Sequence, residues 1–135
     1  SAASDVYKRQ AYKVLSIELA AGLGHTFYDN ETDYETVYFD QEIQHDFASW
    51  VSGDSMEPLY PNGSVALMKQ TGFDYDGAVY ALIWNGKTYI KKVYREAEGL
   101  RLESINPDYD DLFAPYEDEP KIVGIVVGHF LPLEV

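Results

Sequence analysis

Ser52-Gly53-Asp54-Ser55-Met56-Glu57-Pro58 follows a short apolar run and precedes a turn, a setting that exposes a Ser hydroxyl with backbone N–H groups beside it. Such a hydroxyl is a weak nucleophile until a neighbouring base takes its proton. The motif is not the Gly-x-Ser-x-Gly elbow of α/β hydrolases, because Glu57 stands where the second Gly belongs and no βαβ pattern surrounds it. Taken alone, it also fits a capped turn with no catalysis. A candidate base lies in Tyr89-Ile90-Lys91-Lys92-Val93-Tyr94. In a strand, Tyr89, Lys91 and Val93 share one face and Ile90, Lys92 and Tyr94 the other, so one Lys points inward if either face is buried. A Lys with an ordinary pKa of about 10.4 is neutral in only about one molecule in 2,500 at pH 7, but desolvation lowers that value by several units. A neutral Lys can then accept the Ser55 proton. The plainer account is an edge strand whose lysines discourage aggregation.

The third group is Ile17-Glu18-Leu19-Ala20-Ala21-Gly22-Leu23-Gly24, read as a strand ending in small residues, where another backbone can approach a peptide bond closely. Ser55 follows Gly22 by 33 residues, and Lys91 follows Ser55 by 36. His25, His45 and His129 lack a close metal spacing, and nothing selects one of them for a Ser-His-Asp triad. Asp108, Asp110 and Asp111 lack the EF-hand pattern. Neither a metal nor a cofactor is expected.

The elements that must position these groups are nearly all strands. β-branched and aromatic residues alternate over Tyr12–Leu19, Thr36–Asp40, Phe47–Val51, Ser64–Lys69, Ala78–Trp84, Lys87–Tyr94, Leu100–Ser104 and Ile122–Leu131. Asn62-Gly63 supplies a tight turn, and Asn85-Gly86 a type I′ hairpin. Asn106–Pro120, with six acids and three Pro, reads as an exposed loop. At 135 residues and 46 % hydrophobic content the chain fits one domain with one core. Residues 1–13 read as a linker remnant and 14–135 as the folded unit. Ten Lys and Arg against 23 Asp and Glu give a net charge of -13, which repels a phosphate backbone and makes this chain a poor DNA binder by itself. No run approaches the roughly 18 apolar residues of a membrane span, and no signal peptide opens the chain. The absence of Cys excludes disulfides, thiolate zinc sites and cysteine nucleophiles, and suits a cytoplasmic protein.

The order Ala20-Ala21-Gly22, then Val51-Ser52-Gly53-Asp54-Ser55-Met56, then Thr88-Tyr89-Ile90-Lys91-Lys92-Val93 resembles the LexA-like family of self-cleaving repressors, which includes phage repressors and UmuD-type polymerase subunits. The resemblance runs from about Val14 to Leu131. It implies a mostly β, LexA/signal-peptidase-like fold of short twisted strands and hairpins. It also implies Ser55 as nucleophile, Lys91 as general base with Lys92 the runner-up, oxyanion stabilisation by backbone N–H groups around Ser55 and Met56, and cleavage between Ala21 and Gly22. The implied partners are a second copy of the chain, with Ile122–Leu131 as interface material, and a RecA filament on single-stranded DNA as co-protease in the SOS response. Operator DNA is expected only through an upstream helix-turn-helix domain absent from this chain, which opens at Ser1 without an initiator Met. The alternatives are a non-cleaving dimerisation module and a free-standing UmuD-like protein. A signal peptidase shares the Ser-Lys chemistry, but it would need a membrane anchor, and none is expected from these residues.

Overall fold

The computed structural model describes residues 9–23 and 34–134. Among them are β1 (Gln10–Val14), α1 (Ile17–Leu23), β2 (Glu35–Phe39), β3 (Phe47–Trp50), β4 (Val65–Lys69), β5 (Val79–Trp84), β6 (Lys87–Arg95), β7 (Gly99–Glu103), β8 (Leu112–Pro115) and β9 (Lys121–Phe130). The described strands form one sheet in the order β2-β1-β3-β4-β9-β5-β6-β7-β8. The sheet is mixed, because β1 and β3 run parallel at Val14 and Ala48. The expectation of a mostly β fold is borne out.

The last strand in the chain, β9, lies at the centre of the sheet, between β4 and β5. It therefore joins a group built from the first half of the chain to one built from the second. Its pairing shifts register opposite Leu67/Met68 and again opposite Ala81/Leu82, irregularities that bend and twist a sheet. A side chain at Gly124 would begin 2.7 Å from the Lys69 carbonyl oxygen, so the close passage of β4 needs a residue without Cβ. The β5–β6 hairpin closes with Trp84 paired to Lys87. Asn85 and Gly86 both have positive φ, 51° and 74°, as a type I′ turn requires.

Three readings of the sequence are corrected. The run Tyr12–Leu19 is not one strand: β1 stops at Val14 and α1 begins at Ile17. The Ser16 hydroxyl accepts the Leu19 N–H at 3.1 Å, and Glu18 lies in the first helical turn. An N-cap, a favourable acid and two Ala outweigh the short alternation. Residues 10–13, assigned to a linker, belong to β1. The acidic stretch Asn106–Pro120 is not all loop, since it holds β8 and a single 3₁₀ turn, Tyr116–Asp118. There Leu112 and Phe113 are exposed and only Ala114 is buried, which is how an edge strand escapes a search for alternation. His25, residues 1–8 of the linker and most of the loop after α1 lie outside the described residues.

The core cluster nearest the candidate site contains Ile17 and Ala20 of α1, Phe47, Met56, Tyr60, Met68 and Ile90. It ties the helix, the β3–β4 connection and β6 to one apolar body.

Candidate active site

The β3–β4 connection holds Ser55 in a turn bonded largely to itself. Gly53, at φ +81°, donates its N–H to Asn62 Oδ1 at 2.8 Å. Asn62 in turn donates its N–H to Glu57 Oε1 at 3.3 Å. The Glu57 N–H reaches the Asp54 carbonyl at 3.1 Å and the Tyr60 N–H the Met56 carbonyl at 2.9 Å. The Glu57–Pro58 peptide is cis. Met56 is 2 % exposed and packs in the core cluster, so its side chain anchors the turn while Ser55 stays half-buried at the surface. No protein group among the described residues accepts a hydrogen bond from the N–H of Ser55 or of Met56.

Lys91 comes from β6, which lies between β5 and β7 and is not the edge strand that two adjacent lysines suggested. It is 7 % exposed, and its Nζ stands 2.6 Å from Ser55 Oγ. Burial pushes the Lys91 amine below the ordinary lysine range. The charged amine donates to Oγ, whereas the neutral amine accepts the hydroxyl proton and leaves Oγ nucleophilic. Strand alternation turns Lys92 elsewhere. Its Nζ lies 3.4 Å from Glu103 on β7, and hydrogen bonds to Tyr94 and Glu103 raise its pKa. Thus the runner-up base is a charged partner of Glu103.

Ser55 and Lys91 line a cleft of about 250 Å³ with Ile17, Trp50, Met56 and Tyr89. No described His reaches it. His45 Nδ1 is bonded to the Ile43 carbonyl at 2.7 Å, and the His129 ring packs against Tyr60. Among the described residues no three His, Asp or Glu are grouped to hold a metal ion, and no helix is long and apolar enough to cross a membrane.

Ala21 and Gly22 lie in α1, not at the end of a strand. Ala20 is fully buried, Gly22 is exposed, and Ala21 lines a separate cavity with Gln70, Thr71, Lys121 and Ile122. The same helix places Ile17 in the wall of the Ser55 cleft. The structure therefore brings Ser55, Met56 and Lys91 together and leaves the Ala21–Gly22 bond outside their cleft.

Sequence reasoning missed Asn106 and Tyr109. The Asn106 N–H donates to the Ser55 carbonyl at 2.9 Å, and its Nδ2 donates to the Asp54 carbonyl at 3.1 Å. The Tyr109 hydroxyl donates to the Asp54 carboxylate, which raises the tyrosine pKa. The signal was Asn106-Pro107-Asp108, a turn-forming triplet. Nothing local says which distant turn it will meet.

A sequence model of the Peptidase S24-like family matches residues 13–127. The chain is 42 % identical to the repressor protein CI of Enterobacteria phage phi80 over 77 residues, 56 % of this chain and 32 % of that protein. Similarity to the LexA repressor of Citrifermentans bemidjiense is 33 % over 86 residues, covering 62 % of this chain and 43 % of the relative. With the LexA repressor of Lacticaseibacillus casei it is 30 % over 118 residues, covering 84 % and 55 %. The match thus spans between a third and just over half the length of these repressors.

Proposed function

The chain belongs to the Peptidase S24-like family, and on that premise we propose that it cuts its own Ala21–Gly22 bond with a Ser55-Lys91 dyad. The observation that carries this reading is the 2.6 Å contact between Ser55 Oγ and the Nζ of a Lys held at 7 % exposure. Neutral Lys91 takes the Ser55 proton as Oγ attacks the Ala21 carbonyl carbon. The N–H groups of Ser55 and Met56 stabilise the resulting oxyanion. As the intermediate collapses, the bond to the Gly22 nitrogen breaks and Lys91 returns the proton to that leaving amine. Water, deprotonated by Lys91, then hydrolyses the Ala21 ester. Tethering makes the first step intramolecular, so a modest catalyst suffices.

For this reaction α1 must leave its place and enter the cleft as extended chain. Regulation then lies in the balance between docked and undocked helix. We assign to a RecA filament on single-stranded DNA the role of favouring the cleavable form, in an SOS response that separates this domain from an operator-binding domain upstream. A second copy of the chain is the proposed partner at Val127 of β9 and at Leu131 just after it, both exposed, since β9 is a central strand whose Val123 and Phe130 are buried within the chain itself. The position of Ala21–Gly22 outside the cleft is the one feature favouring a non-cleaving dimerisation module instead.

Incubation of the chain across neutral to alkaline pH, followed by mass spectrometry, decides between them. The wild type should release a fragment beginning at Gly22, while Ser55→Ala and Lys91→Ala remain whole. The rate should climb with pH as Lys91 loses its proton and level off below the ordinary lysine range, because burial lowers the Lys91 pKa. An uncut wild type, or either variant cut at the wild-type rate, would leave the dimerisation module.

A further inference from the structure

The N–H groups assigned above to the oxyanion have no side chain to aim them, so something must hold their peptide planes. The peptides Asp54–Ser55 and Ser55–Met56 are trans, and in a trans peptide the N–H points opposite to the C=O. Asn106 holds both carbonyls, taking Ser55 O with its backbone N–H at 2.9 Å and Asp54 O with its side-chain Nδ2 at 3.1 Å. Ser55 and Met56 line the cleft and Asn106 does not. Grasping the two carbonyls from outside thus turns the two N–H groups toward the cleft.

Asn106 is itself immobilised. Its Oδ1 accepts the Asp108 N–H at 3.0 Å and its carbonyl accepts the Tyr109 N–H at 3.2 Å, so each of its polar groups is engaged. Tyr109 straps the loop back onto the turn through its hydroxyl and the Asp54 carboxylate.

We propose that Asn106 is a positioning residue for peptide-bond cleavage, setting the donor geometry of the Ser55 and Met56 N–H groups without touching substrate, with Tyr109 fastening its loop. The assignment rests on the Ser55-Lys91 reading. Its consequence is that the acidic segment after β7 belongs to the catalytic apparatus.

The test uses Asn106→Ala and the isosteric Asn106→Asp, which keeps the acceptor for Asp108 but sets an oxygen against the Asp54 carbonyl. Two rates are read: self-cleavage, and labelling of Ser55 by a fluorophosphonate, whose phosphoryl oxygen needs the same donors and whose reaction does not require the Ala21–Gly22 bond to enter the cleft. Both rates should fall about 10- to 100-fold, somewhat less than the effect of deleting a donor outright. The pH midpoint set by Lys91 should not move, and near-ultraviolet circular dichroism should stay that of the wild type. Tyr109→Phe keeps the ring, 6.0 Å from Lys91 Nζ, and loses only the hydroxyl. It should slow both rates several-fold at the same midpoint, and it carries the test if Asn106→Ala fails to fold. Folded Asn106 variants working at wild-type rates, or a loss accompanied by a shifted midpoint, would overturn the assignment. Ser55→Ala run alongside separates the two readings. If it still cleaves, or if the wild type is neither cut nor labelled, the dyad itself fails. If it is inert while the Asn106 variants are fully active, only the role of Asn106 falls.

Discussion

Lys91 is held where an ammonium ion is poorly solvated, and that should be felt in stability as well as in the proposed proton transfer. Burial lowers its folded pKa while the unfolded chain keeps the ordinary value. Between those two values the unfolded state binds more protons, so stability rises with pH; at lower pH the full desolvation cost is present. Lys91→Met, which removes the charge but preserves the apolar stem, should therefore be more stable than wild type at pH 7, by about 1–3 kcal/mol in urea unfolding. That gain should shrink as pH climbs toward the ordinary lysine pKa. An unchanged difference across that range would mean that the site does not desolvate the amine. At this scale the sequence was informative about residue types. Ser55 and Lys91 were legible from their motifs, but which of two adjacent lysines turns inward depends on the faces that β5 and β7 cover, and Asn106 depends on a contact with the Ser55 turn 51 residues away.

Among the elements, the proposed self-cleavage puts the regulatory burden on α1. It is seven residues long, and a helix that short has little stability of its own, so it persists through the burial of Ile17 and Ala20 and through its cap. Ser16→Ala removes the hydroxyl that accepts the Leu19 N–H. Losing such a cap costs about 1 kcal/mol, enough to raise the undocked population about fivefold. Self-cleavage should accelerate by about that factor, with an unaltered pH midpoint and no change in the rate at which a fluorophosphonate labels Ser55. A rate that stays the same or falls would show that helix undocking does not limit the reaction. The hairpin between β5 and β6 was readable from Asn85-Gly86 because its turn geometry is a local property. The helix was not, because capping and alternation competed within eight residues, and β8 was not, because it is a short edge strand with its apolar side chains outward.

For the molecule as a whole, the two halves of the proposed dyad depend on one junction. Ser55 is carried by the β3–β4 connection and Lys91 by β6, and β9 joins the strands on either side. Gly124 lets β4 pass close to that junction, where a Cβ would meet the Lys69 carbonyl oxygen at 2.7 Å and Met68 Cβ at 3.2 Å. Gly124→Ala should cost about 1–3 kcal/mol by overpacking, lowering the melting temperature by roughly 4–10 °C. An unchanged melting temperature would mean that the sheet relaxes around the methyl group. From the sequence alone came the strand-rich class, the hairpin turn, the Ser and Lys motifs and the acidic balance, because pattern, turn chemistry and charge are written in neighbouring residues. The family match to residues 13–127 bears out the resemblance those motifs carried. Only the tertiary structure decided which Lys meets Ser55, that Ala21–Gly22 is helical and lies outside the cleft, and that Asn106 grips the Ser55 turn. Each of these depends on contacts between residues distant in the chain, whose free energy exists only once β9 has brought the two sides of the sheet together.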